Sequence, residues 1–235
     1  MTRYSGEHPM VLEAMELVDT LEALEDRDAK RCIIAEVLVH LDESSVRSLL
    51  LLISSIWHRY RVTIELYAAY GRKDDRARVL ALITNIVETG ESDGDDERDQ
   101  LARVDNNLAD GNFSRPERWL LDEGRRTFLM YRSSKRLPKF AHGPHIGLFN
   151  EYCLRIRYGD SDAVAKAMKL AGDDSSDRDR ITMLIGMSHA EMGKVQIARH
   201  HLKMVRLPEH RIDLLLVLFL VEREMSPDVL QEALP

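Results

Sequence analysis

Apolar residues return along this chain every three or four positions. Ile33, Val37 and Leu41 mark one stripe, and Ile197, His201, Met204 and Val205 mark another, a spacing that puts side chains on one face of a helix. Every apolar pattern has this period, so the chain is predicted to be almost wholly helical, without sheet. Short polar turns interrupt the stripes at Asp42-Glu43-Ser44-Ser45, Arg72-Lys73-Asp74-Asp75, Asp160-Ser161-Asp162 and Gly193-Lys194. Asp and Ser there can accept a hydrogen bond from the free amides of the next helix. Gly71, Gly159 and Gly193 each follow an apolar stripe and can take the left-handed conformation that ends a helix. Helices joined by such short turns form antiparallel pairs.

The pairs recur. In the N-terminal part, residues 37–39 and 46–56 superimpose with a shift of 31 on residues 68–70 and 77–87, so that Leu49, Leu51 and Leu52 fall on Leu80, Leu82 and Ile83. In the C-terminal part, Tyr158-Gly159 and Met192-Gly193 lie 34 apart, and Met168 and Ala171 fall on Leu202 and Val205. Between these regions residues 88–110 are strongly acidic, and Gly90, Ser92 and Gly94 mark residues 89–96 as a mobile loop. A calcium loop starting at Asp93 is excluded, because Arg98 and Val104 occupy the positions that need Gly and Glu. Three segments follow: an N-terminal helical-repeat lobe at 1–90, an acidic linker at 91–113 and a C-terminal helical-repeat lobe at 114–235. Ser114, Pro116 and Glu117 start a helix running to about residue 132. Residues 137–144 break it, a further helix covers about 211–224, and Ser226-Pro227-Asp228 starts a last one.

Composition narrows the function classes. The 33 basic and 40 acidic residues leave a formal charge of −7, which argues against wholesale coating of nucleic acid. Cys32 and Cys153 sit in apolar helical patterns without CxxC spacing, so they read as reduced core thiols. The N-terminal ten residues hold no apolar run, and the longest one, at 214–221, is far short of the roughly 20 residues that span a bilayer. A cytoplasmic protein with no membrane contact is expected. Residues 212–221 are apolar almost all round the helix, which predicts burial among neighbours.

Candidate chemistry is sparse. His142 and His145 lie in a Pro/Gly loop without a nearby acid, and adjacent His200 and His201 point to different faces of a helix, so no metal site is indicated. Arg-x(4–6)-His spacings occur at Arg3…His8 and Arg136…His142, no more often than chance provides. No phosphate loop, nucleophile elbow or His-Glu-x-x-His is present. The chain is therefore expected not to be an enzyme and to need no cofactor. One segment has a binding character: residues 115–139 carry eight Arg and Lys interleaved with Trp119, Phe128 and Tyr131. It can grip phosphates and stack bases, or form a helix with one solvated face.

The C-terminal unit resembles a tetratricopeptide repeat. The pattern Leu-Gly-x-x-Tyr followed by Ala-x-x-x-Phe is met as Ile185-Gly186-x-x-His189 and Ala198-x-x-x-Leu202, with Gly193 at the turn and the 34-residue spacing to Gly159. The slots for Trp and Tyr hold Thr182 and His189. The resemblance implies an all-α fold, a right-handed superhelical stack of antiparallel helix pairs or α-solenoid, whose concave face binds another protein or peptide as an adaptor or scaffold. It also implies contact residues at the second, fifth, ninth and twelfth positions of each pair's first helix. These are Arg27, Lys30, Ile34 and Val37, then His58, Arg61, Glu65 and Ala68, and further on Ile146, Phe149, Cys153 and Ile156, then Arg180, Met183, Met187 and Ala190. The first half of that face is expected to be basic and to take an acidic segment; the second is expected to be apolar and Met-rich, suited to an amphipathic helix. Self-association is a further partner class, and nucleic-acid regulation through 115–139 is the alternative function.

Overall fold

The computed structural model describes residues 8–111 and 148–224. Among them every regular element is an α-helix, as the periodicity predicts. The chain divides into two compact units, 1–118 and 119–235. The first unit contains α1 (Pro9–Asp19), α2 (Leu24–Leu38), α3 (Glu43–Leu52), α4 (Ile56–Tyr70), α5 (Lys73–Thr89) and α6 (Asp95–Ala109). The second contains α7 (Leu148–Arg157), α8 (Ser161–Ala171), α9 (Ser175–Glu191), α10 (Val195–Met204) and α11 (Pro208–Glu224). The expected helix at 114–132, the basic aromatic segment 115–139 and the helix begun at Ser226 lie outside the described residues.

Packing follows chain order with one regular addition. In the first unit α1 packs on α2, α3 on α2 and α4, and α5 on α4 and α6; α2 also packs on α4, and α4 on α6. In the second, α8 lies against α7 and α9, α10 against α9 and α11, while α7 packs on α9 and α9 on α11. The leading helix of each pair thus touches the leading helix of the next. We call these lines of contact, α2–α4–α6 and α7–α9–α11, the seams.

The acidic stretch needs a correction. The expected linker at 91–113 is for the most part α6, which belongs to the first unit. Leu101 is buried against Tyr60, Ile64 and Tyr67 of α4 and Val79, Ile83 and Ile86 of α5, with Val104 and Leu108 packed beside them. One apolar residue per turn is enough to seat the helix, and its acidic first turn suits the positive helix end. The expected loop at 89–96 shortens to residues 90–94, where the Ser92 hydroxyl donates to Glu97 (3.1 Å) and accepts from the Gly94 amide (3.0 Å).

Two of the four expected turns carry an Asp cap. Asp42 accepts from the Ser45 amide, and Asp160 from the Asp162 amide. The turns before α5 and α10 have no side-chain cap. Gly159 and Gly193, 34 apart, have φ of 82° and 74°, a region where a side chain would clash with its own backbone. α11 begins at Pro208, earlier than expected, because proline is well tolerated in a first turn whose amides have no partner in the helix. Ile212, Leu214, Leu215, Leu216, Leu218, Phe219 and Val221 are all buried, as the all-round apolar pattern predicts. At Gly186 of α9 an added Cβ would stand 2.7 Å from Leu214 Cδ2 and 3.1 Å from His201 Cβ. The missing side chain lets α10 and α11 both close on α9.

The seams are tied by buried polar side chains at one recurring position, the fifth residue of a leading helix. Asp28 in α2 accepts from the amides of Ser54 (2.8 Å) and Ser55 (2.7 Å), at the entry to α4. Asp179 in α9 accepts from the amides of Arg206 (2.8 Å) and Leu207 (3.0 Å) and meets His210 Nδ1 at 3.2 Å, at the entry to α11. Tyr60 in α4 donates toward Gln100 Oε1 and the Glu97 carbonyl of α6. Hydrogen bonds to a charged acceptor are among the stronger ones, and removing the acceptor leaves two amides without a partner. Asp28→Ala is expected to cost roughly 1.5–3 kcal/mol of stability, read as a lower urea midpoint; an unchanged midpoint would remove Asp28 from this role.

α9 and α10 carry a second polar pair. The rings of His189 and His201 stack with centroids 5.7 Å apart and planes 17° from parallel, and each Nδ1 is buried without a partner. Burial is the main cause holding both imidazoles below their usual pKa. Lys194 adds to it at His189, and His189 and His200 add to it at His201. With the folded pKa depressed, the pair adds no pH-dependent cost while the imidazoles are neutral in both states. Below pH about 6.5 the unfolded chain takes up protons that the folded chain refuses, and stability falls. Urea unfolding at pH 7.5 and 5.5 should show a larger loss for the wild-type chain than for His201→Leu; equal losses would contradict this.

Candidate partner-binding surface

In the first unit the residues expected to face a partner lie on α2 and α4. Arg27 and Lys30 are half-buried one turn apart on α2, and the Arg27 Nε is enclosed without a partner. His58 is half-buried on α4, and Arg61 is exposed. The seam gives this face an acidic component. Arg61 pairs with Glu36 of α2 at 2.5 Å, and the Cys32 thiol, fully buried below, points to Glu36 Oε1 (3.4 Å) and the His58 carbonyl (3.9 Å). Burial, reinforced by the Glu36 charge, pushes that thiol up to about 12, so it is a packing group with little thiolate character. Glu65, next along α4, is held above the usual carboxylate range by burial and then by Glu36, with Arg61 opposing.

The expectation of a basic half is therefore corrected. Arg61 is neutralised inside the unit by Glu36, and Glu65 stands near enough to feel both charges. What remains is a mixed surface, with Arg27 and Lys30 on α2 and Glu36, Arg61 and Glu65 farther toward the helix C-termini. Glu65 is itself one of the positions singled out from the sequence and Glu36 is next to another, Val37, but the pairing partner of Arg61 is set by how α2 and α4 align.

In the second unit only part of the expected surface is available. Ile156, Met183 and Met187 are 2%, 6% and 8% exposed, and Cys153 and Ala190 are buried too. They are packing positions, and the expected Met-rich half of the groove is not open. The physical reason is the packing: α9 has leading helices on both sides, and Ile156 of α7 is enclosed by Ala163, Ala167 and Ala171 of α8 and Ile181 of α9. Phe149 and Arg180 remain half-exposed, and the structure brings them together. The Arg180 guanidinium lies over the Phe149 ring at 5.9 Å and donates to Asn150 Oδ1 at 3.2 Å. Burial raises the Cys153 thiol, with Arg180 acting against it. Farther along the same seam Arg157 pairs with Glu191, a link like that of Glu36 and Arg61 with the charges exchanged between the helices.

No group of three or more His, Cys, Asp and Glu side chains among the described residues can hold a metal ion. No described helix is long and apolar enough to cross a membrane. No family model matches the chain, and neither a curated protein nor a solved structure does.

The influence of Glu36 and Arg61 on Glu65 is measurable. Glu36→Gln removes the like charge that helps hold Glu65 up, so the Glu65 titration followed by carboxyl NMR should move down toward the ordinary glutamate range. Arg61→Gln should move it further up. A Glu65 midpoint unaffected by either substitution would show that the three groups are not coupled.

Proposed function

We propose that this protein is a non-catalytic binding adaptor or scaffold of the cytoplasm, built as two stacks of antiparallel helix pairs of tetratricopeptide-like, right-handed superhelical type. The observation that supports the reading is the contact of each leading helix with the next along both seams. In a stack of that kind neighbouring helices present one edge each to a common surface, and stacking extends that surface pair by pair. A partner protein or peptide would lie across the seams, engaging Arg27, Lys30, His58 and Arg61 in one unit and Phe149 and Arg180 in the other. Because Glu36 and Glu65 stand among the cations, the segment laid on α2 and α4 would carry charges of both signs.

A photo-crosslinking amino acid placed at Phe149 or Lys30 should give a discrete adduct with a partner in the native cytosol, whereas the same group at Ala81, on the exposed side of α5, should not. Absence of any adduct at the seam positions, or equal labelling at Ala81, would overturn the reading.

A further inference from the structure

The returning helix α10 differs from the rest of the chain in charge. Residues 192–208 include Lys194, Arg199, Lys203 and Arg206 and no Asp or Glu, although the whole chain carries a net −7. Most of the described arginines elsewhere are matched by carboxylates, as in the bidentate pair of Arg47 with Asp75 and that of Arg76 with Asp105. On α10 only Arg199 is matched, by Glu222 of α11 (2.8 and 2.7 Å). Lys194, Lys203 and Arg206 are exposed and make no ion pair among the described residues. Between them the helix exposes two large aliphatic side chains, Ile197 at 45% and Met204 at 49%. These are seven residues apart, so they lie on one strip with His200 between them, separated by about 10.5 Å along the axis.

We propose that this strip, Ile197, His200 and Met204 flanked by Lys194, Lys203 and Arg206, docks an acidic amphipathic helix of a partner protein. The inference rests on the adaptor reading above and places a second contact outside the seams. Two aliphatic seats at a two-turn spacing match the apolar stripe of a helix laid alongside, and unpaired cations beside them match carboxylates flanking that stripe. The surface is preorganised: Asp179 holds the amides of Arg206 and Leu207, and the Arg199–Glu222 pair fixes the opposite edge, so little order must be gained on binding. Single-stranded nucleic acid would find one imidazole, His200, and no Phe, Tyr or Trp in the strip on which to stack successive bases. A bilayer would gain little from two half-exposed side chains.

The test uses the full chain and four probes: a helical peptide with Leu in a seven-residue repeat flanked by Glu, its twin with Lys for Glu, phosphatidylserine-containing vesicles, and oligothymidine. The Leu/Glu peptide should bind in a salt-sensitive manner and the others should not. Lys203→Glu with Arg206→Glu, and separately Ile197→Ser with Met204→Ser, should each weaken that binding at least about tenfold at an unchanged melting temperature. Phe149→Ala should leave it intact. Peptide binding that survives both double variants would overturn the assignment to α10, and preference for the Lys twin, vesicles or oligothymidine would overturn the partner class. Seam crosslinks bear separately on the adaptor reading: if they form while the α10 strip binds nothing, only the present inference falls.

Discussion

A carboxylate buried in one helix and bonded to two successive backbone amides at the start of another decides how these helices pair. Asp28 and Asp179 occupy the same place in their helices and perform this task in separate units, each at the entry of the chain into the next leading helix. The bonds fix direction as well as distance, because two parallel N–H groups must converge on one side chain. Apolar packing then follows from the alignment. Cys32 faces the His58 carbonyl, Glu36 meets Arg61, and Tyr70 reaches the Val39 carbonyl at 2.6 Å. The hydrophobic effect holds the helices together without direction; the buried acids choose among the many ways a set of amphipathic helices can be assembled.

The sequence made the helices legible and left the seams hidden. Periodicity found α2 to α5 and α7 to α11, because each buries a stripe of apolar residues at helical spacing. It missed most of α6, where one stripe of Leu101, Val104 and Leu108 is set among carboxylates and looks like solvated chain. The buried acids carried a faint signal, an Asp on the apolar side of a helix, but an Asp near a helix start reads first as a favourable charge at the positive end. Nothing local distinguishes Asp28, which is buried, from Asp26, which is exposed two residues earlier. The candidate surface was partly legible for the same reason. Phe149 and Arg180 were placed on one face by register, and they do meet. Ile156, Met183 and Met187 share that register and are buried, since register gives the direction of a side chain along its own helix and is silent about how closely the next helix stands.

Charge is distributed with the same economy. Along the first seam Glu36 pairs with Arg61 beside a second glutamate, Glu65; along the second an arginine and a glutamate exchange helices. Glu36, Arg157 and Glu191 sit at half-buried positions where a charge without a partner would be costly, while Arg61 is exposed, and the seam surfaces present both signs. α10 stands outside this arrangement. Its cations face solvent, where they cost little and are screened only over distances of about 8 Å at physiological salt.

The connections between helices are of two kinds, with different consequences for how such a chain changes in length. Where a leading helix passes to its returning partner, at Gly159 and Gly193, the turn is a glycine at the surface held by its own backbone. Extra residues there would lengthen a loop at small entropic cost. Where a returning helix passes to the next leading helix, residues 53–55 and 205–207 are clasped from across the seam, and one inserted residue would pull an amide off its carboxylate. Variation among descendants of this chain should therefore collect at the glycine turns, with the two clasped connections keeping their length to the residue.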